Sequence, residues 1–133
     1  DAINAGVLNL KLKNFNKTIL KRNRLANIYY KELKDIPNLY LFKLNKKNIT
    51  VYHQFVIRTN KRNQLKEFLA RHKIETMIHY PYMLNDLKFF NYHKKINNCN
   101  NLGKKILSLP ISEEHSEKQI LFVSRKIKEF FKI

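Results

Sequence analysis

Val51-Tyr-His-Gln-Phe-Val-Ile-Arg58 is the stretch on which the fold turns. It is rich in aromatic and β-branched residues, which pack well on a pleated surface, so it reads as a strand. Leu39-Tyr-Leu-Phe-Lys-Leu44 has the same character, and the polar turn Asn45-Lys-Lys-Asn48 between them predicts an antiparallel pair. Downstream, Thr59 or Asn60 can cap a helix through His72, with Leu65, Phe68 and Leu69 facing inward. Ile74-Glu-Thr-Met-Ile-His-Tyr80 is expected as a third strand, stopped by Pro81.

Outward from this centre the helical period takes over. Ala5, Leu8, Leu12, Phe15, Ile19, Ala26, Tyr30 and Leu33 recur in steps of three and four, predicting one long amphipathic helix over residues 2–35. A helix of that length cannot bury its stripe alone. Residues 82–98 are aromatic and Asn-rich and are expected to be irregular, and a short helix near Asn100–Ile106 should lead into Leu109-Pro-Ile111. The last helix is expected to start at Ser116, where Ser116 and Gln119 can form a capping box. Its stripe is Ile120, Val123, Ile127 and Phe130. The order α-β-β-α-β-α-α makes an α+β domain, a small mostly antiparallel sheet packed with helices.

With 133 residues and no internal repeat, the chain reads as one domain, 1–133, able to bury roughly two-thirds of its unfolded surface. Apolar residues at 44% are too many for a disordered tail, and no run approaches the ~18–20 residues of a membrane span. The first residue is Asp1 rather than Met, so a segment upstream is expected to have been removed or left out. The lone Cys99 gives no disulfide framework, which favours a reducing, cytoplasmic setting.

A net charge of +17 invites a nucleic-acid reading, with Tyr and Phe stacking on bases. Lys greatly outnumbers Arg, however, and Asn, Ile, Phe and Tyr are abundant, as codons of an AT-rich genome dictate. The cations are spread along the chain (Lys11, Lys43, Lys88, Lys126) rather than clustered as an Arg-rich patch. Specific nucleic-acid binding is therefore not expected, and most of the charge reads as solvated surface.

Two glycines, Gly6 and Gly103, exclude a P-loop or a dinucleotide cradle, which need several Gly where backbone N–H groups meet an anion. The histidines (His53, His72, His79, His93, His115) show no spacing that would fix two ligands to one metal. Glu113-Glu114 are expected to favour the N-terminus of the last helix rather than serve as an acid/base pair. Cys99 has no activating base nearby in sequence. Arg58, at a strand end, could meet a phosphate, but a surface salt bridge is the expected role. His79 and Tyr80 end a strand immediately before Pro81, where a rigid scaffold presents side chains to a cleft. Their residue types suit a sugar or a diphosphate, and residue chemistry leaves a buried structural pair equally open.

Three strings in order, His53-Gln-Phe-Val-Ile-Arg58, Ile78-His-Tyr-Pro81 and Ile106-Leu-Ser-Leu-Pro-Ile111, carry a resemblance. Asp1-Ala-Ile-Asn-Ala-Gly-Val-Leu-Asn-Leu-Lys-Leu-Lys13 adds to it. Together they resemble the C-terminal end of the sugar aminotransferases named for DegT, DnrJ, EryC1 and StrS, which depend on pyridoxal phosphate (PLP). The resemblance implies the small domain of a fold-type-I enzyme, with its long helix arriving from a large domain that this chain lacks. Enzymes of that kind transfer an amino group, usually from glutamate, to a nucleotide-linked keto-sugar, in surface polysaccharide or amino-sugar biosynthesis.

By resemblance the Schiff-base lysine and PLP belong to the missing large domain. The chain alone is then expected to be inactive, and the full-length protein a cytoplasmic homodimer. His79 and Tyr80 would lie near the nucleotide-sugar; no catalytic, cofactor-binding or metal residue is assigned within the chain. Several positions depart from the family pattern. Lys73 replaces the usual Gly at a helix stop, where a left-handed backbone costs about 1 kcal/mol. Met83 and Asn85 replace a Pro and a His, and Asn100 and Asn101 stand where an acid is common. The alternative is a detached, non-catalytic domain that binds a partner through its long helix.

Overall fold

In the computed structural model, which describes residues 1–42, 48–82, 87 and 102–133, α1 (Ala2–Leu33) is the longest element. Asp1 caps it, its Oδ1 accepting from the Ile3 N–H at 2.9 Å. β1 (Leu39–Leu41) and β2 (Phe55–Thr59) follow, then α2 (Arg62–Arg71), β3 (Ile106–Leu109) and α3 (Glu117–Phe131). The sheet order is β1-β2-β3, antiparallel throughout. The expected α+β architecture is what the chain adopts.

β2 lies in the middle. Its Phe55, Ile57 and Thr59 are buried while Val56 and Arg58 are not, the alternation of a strand with one face on the core. It is shorter than expected at its N-terminal end, because Tyr52 takes a left-handed φ of 44° and cannot continue an extended chain. Facing Ile57 and Phe55 are Leu25, Tyr29 and Leu33 of α1, Leu65 and Leu69 of α2, and Ile120 and Ile127 of α3. Each fully buried aliphatic side chain contributes about 1.5–3 kcal/mol relative to exposure. The buried face of α1 runs through Leu25, Ala26, Tyr29 and Leu33, so Leu25 and Tyr29 join the expected stripe while Tyr30 sits at its edge.

α2 ends in a Schellman turn. Lys73 adopts φ 58°, its N–H donates to the Ala70 carbonyl and the Ile74 N–H to the Leu69 carbonyl, while Ile74 and Leu69 are both buried. Lys73 thus takes the left-handed backbone that Gly would adopt without penalty. Neither Thr59 nor Asn60 caps α2: the N-cap is Lys61, without a side-chain bond, and Thr59 Oγ1 instead accepts from the Lys61 N–H. α3 begins with the expected box, Ser116 N–H donating to Gln119 Oε1 and Gln119 N–H to Ser116 Oγ.

Two elements differ from expectation. The strand foreseen over residues 74–80 reduces to one bridge, Met77 opposite Ser108. The described part of the helix foreseen near Asn100–Ile106 is a single 3₁₀ turn, Leu102–Lys104, and Ile106 already belongs to β3. The turn at 45–47, residues 83–86 and 88–101 with His93 and Cys99, and the family departures at Met83, Asn85, Asn100 and Asn101 lie outside the described residues.

Candidate functional site

The segment Met77–Pro81 is laid along the free edge of β3. Met77 and Ser108 exchange two backbone hydrogen bonds, of 3.2 and 2.8 Å. Two residues further on, His79 Nδ1 lies 3.0 Å from the Ser108 hydroxyl. The end of the segment is set against Gly103: a Cβ there would stand 2.6 Å from the Pro81 carbonyl oxygen, closer than real contacts allow. Arg62, buried at the start of α2, fastens the same corner. Its Nη1 donates to the Gly103 and Ile106 carbonyls, both at 3.1 Å, and burial lowers its pKa.

His79 lines a cleft of about 710 Å³ between β3, the Lys73–Met77 segment and the first turns of α3. His53, His72 and His115 open onto the same cleft, together with Lys73 and the single carboxylate Glu75. Two of these imidazoles have local partners: His72 Nδ1 contacts the Phe68 carbonyl at 2.9 Å, and His115 Nδ1 the Ser112 hydroxyl at 2.8 Å. Among the described residues no group of three His, Cys, Asp or Glu side chains could hold one metal ion. The cleft therefore offers hydrogen-bonding and cationic groups on an otherwise apolar wall, suited to a polar, anionic ligand.

The two residues singled out by sequence part company here. Tyr80 packs edge-on to His79 at 5.9 Å between ring centroids, yet it is 69% exposed and does not line the cleft. Arg58 lies directly opposite Tyr40, with its guanidinium 4.5 Å above that ring. Among the described residues a cross-strand cation–π pair stands in place of the expected salt bridge. Glu113 also departs from expectation. Instead of favouring the N-terminus of α3 it pairs with Arg22 of α1 at 2.6 Å, and the acid in the first turn of α3 is Glu117. Hydrogen bonds from its own backbone and from Arg22 hold its carboxyl below the usual range.

Sequence reasoning missed Ser108, Gly103 and Arg62. The available signals were faint: one hydroxyl inside an apolar run, and one of only two glycines.

A second groove, of about 620 Å³, runs along α1 past Phe15, Ile19 and Arg22 to Val51 and Glu113. Tyr29 of α1 anchors the far side of the core, its hydroxyl donating to the Pro110 carbonyl at 2.9 Å, and burial raises its pKa strongly.

This arrangement of helices and antiparallel sheet is that of the corresponding part of fold-type-I aminotransferases. It superposes on a DegT DnrJ EryC1 StrS aminotransferase from Brucella abortus with a TM-score of 0.88 and 26% identity, covering 96% of this chain and 35% of that one. The chain belongs to the DegT/DnrJ/EryC1/StrS aminotransferase family, whose sequence model matches residues 1–128. It is similar to the erythromycin biosynthesis sensory transduction protein EryC1 of Saccharopolyspora erythraea, 35% identical over 81 residues, 61% of this chain and 22% of that protein. It is also similar to the dTDP-3-amino-3,6-dideoxy-alpha-D-galactopyranose transaminase of Aneurinibacillus thermoaerophilus, 26% identical over 122 residues, 90% of this chain and 33% of that protein. The chain thus spans about a third or less of the length of these relatives. Among the described residues no helix is long and apolar enough to cross a membrane.

Proposed function

We propose that residues 1–133 are the C-terminal small domain of a PLP-dependent aminotransferase. On this reading the enzyme transfers an amino group from glutamate to a nucleotide-linked keto-sugar, in surface polysaccharide or amino-sugar biosynthesis. The observation that carries it is the family match along residues 1–128; the similar transaminase named for a dTDP-linked amino sugar supports the substrate class. This domain then forms one wall of the sugar cleft in a cytoplasmic homodimer, with His79, which lines the cleft, and Tyr80, exposed beside the His79 ring, as its contacts.

PLP supplies the electron sink for amino transfer, and it needs a sheltered lysine and a cradle of backbone N–H groups. Among the described residues Lys73 and Lys11 reach the two clefts, but both are exposed. Gly103 is closed off by the Tyr80 and Pro81 carbonyls, and Gly6 lies in the second turn of α1 in open space. These residues do not fit PLP; the cofactor belongs, on this reading, to polypeptide outside this chain. What this chain contributes is binding: His79 offers a hydrogen-bonding edge, and Lys73, His53 and His115 line a wall suited to a diphosphate.

In the full-length enzyme His79→Ala and Tyr80→Phe should weaken use of the nucleotide-sugar while the glutamate half-reaction stays near normal. Losing a hydrogen bond to an uncharged group costs about 0.5–1.5 kcal/mol, and to a phosphate about 1.5–3 kcal/mol. Kinetics of each half-reaction measured separately test this. Lost thermal stability with unchanged sugar kinetics would make the pair structural. Borohydride reduction of the isolated chain mixed with PLP should label no single lysine stoichiometrically.

The exposed apolar side chains Leu8, Leu12 and Phe15 of α1 favour a second reading, a non-catalytic interaction module. An upstream reading frame encoding a lysine-bearing PLP domain decides for the enzyme, and a stop codon there for the module.

A further inference from the structure

The buried hydroxyl of Ser108 has a single partner among the described residues, and that partner is His79. The backbone N–H and carbonyl of Ser108 are both engaged by Met77, and among the described residues the hydroxyl makes no bond to the main chain. A neutral imidazole carries one N–H and one bare nitrogen, and a serine hydroxyl one proton to give. If His79 Nδ1 donated, the Ser108 proton would have no acceptor among the described residues, disfavoured by a factor on the order of ten or more. If Ser108 donates to Nδ1, the hydroxyl proton and the bare ring nitrogen satisfy each other and the ring proton resides on Nε2, facing away from Ser108.

The geometry assigns to Ser108 the role of a positioning residue: it donates to His79 Nδ1 and holds the neutral imidazole as its Nε2–H tautomer. Nε2 lies on the opposite edge of the ring, so His79 offers a hydrogen-bond donor for an oxygen of the ligand. Gly103, pressed against the Pro81 carbonyl, and Arg62, which holds the Gly103 carbonyl, keep the far end of the segment in place. That the ligand is a nucleotide-sugar rests on the function proposed above; the tautomer does not.

The test begins with this chain and needs no ligand. Long-range ¹H–¹⁵N spectra at about pH 8.5, where an ordinary imidazole is neutral, with His79 identified by its loss in His79→Gln, should show a protonated Nε2 and a bare Nδ1. A proton on Nδ1 in the wild-type chain overturns the assignment, whatever the variants do. Ser108→Ala should shift the ring toward a mixture of tautomers, and Ser108→Thr, which keeps a hydroxyl, should restore the Nε2–H form. A tautomer unmoved by Ser108→Ala also overturns it.

In the full-length aminotransferase, Ser108→Ala should raise KM for the nucleotide-sugar about three- to tenfold, with the glutamate half-reaction unchanged and Thr restoring the value. If His79→Ala raises that KM and Ser108→Ala does not, the positioning role fails while the substrate reading stands. If neither variant changes it, the substrate reading fails and the tautomer is decided by the spectra alone.

Discussion

Leu8 and Leu25 stand on one helix and meet opposite fates: Leu8 is 60% exposed, Leu25 1%. The first half of α1 carries Ile3, Leu8, Leu12 and Phe15 into solvent, whereas the second half supplies Leu25, Ala26, Tyr29 and Leu33 to the core. The join falls near Arg22 and Asn23. Arg22 pairs with Glu113, and Asn23 Nδ2 donates to the Thr50 carbonyl at 3.0 Å. The two halves share a period and a composition. An apolar stripe therefore states that a surface needs cover without stating what covers it.

The contrast is broken or sharpened most strongly in the core half. Leu25→Ala should cost about 2–5 kcal/mol in urea unfolding, through lost transfer energy and a cavity. A loss below 1 kcal/mol would mean that this half is not held as described. In the exposed half, Gly6 sits in the second turn of α1 with nothing within 4 Å, so Ala fits without strain. Gly6→Ala should stabilise the local helix by about 0.5–1 kcal/mol. Amide exchange is the readout: protection should rise over residues 2–20 and stay unchanged over residues 25–33. Strong protection of residues 2–20 in the unmodified chain would show that a second copy covers this half.

At the join the expected effect is smaller and depends on pH. The folded state lowers the pKa of Glu113 below its ordinary 4.5, so the stabilisation is present above that value and is lost as pH falls through the folded one. The pair is partly exposed and screened, worth about 0–1 kcal/mol. Protection factors at residues 18–23, taken relative to the intrinsic exchange rate at each pH, should fall on acidification in the native chain and lose that dependence in Glu113→Gln. Leu8→Ala should have the least effect, within about 0.5 kcal/mol; a loss as large as that of Leu25→Ala would abolish the distinction between the halves.

Where local rules and burial agree, the elements could be read in advance. Ser116 and Gln119 formed their box because both partners lie within four residues of one turn, independent of the rest of the chain. β2 kept its alternation because one of its faces meets the core, and Lys73 took the left-handed turn because Schellman geometry demands it whatever residue is there. β3 was not legible as a strand. All four of its residues are buried, so no alternation exists to separate a buried strand from a short helix. Residues 74–80 have strand composition but only Met77 meets an edge, since β propensity expresses itself only where a partner strand lies alongside.

The site divides in the same way. His79 was visible as a polar residue near the end of an expected strand close to Pro81, and the family strings imply a place near the sugar. Tyr80 was indistinguishable from it in sequence, yet it is exposed and does not line the cleft, although its ring packs edge-on against His79. Ser108, Gly103 and Arg62 are 29, 24 and 17 residues from His79 (108 − 79, 103 − 79 and 79 − 62), and no local pattern links them to it. By itself the sequence determined the α+β class, the family and the Ser116–Gln119 cap, since each rests on short-range stereochemistry or on strings of adjacent residues. The tertiary structure alone decided which half of α1 is buried, that β3 is a strand and that Ser108 holds His79, because burial and pairing depend on what the folded chain brings alongside.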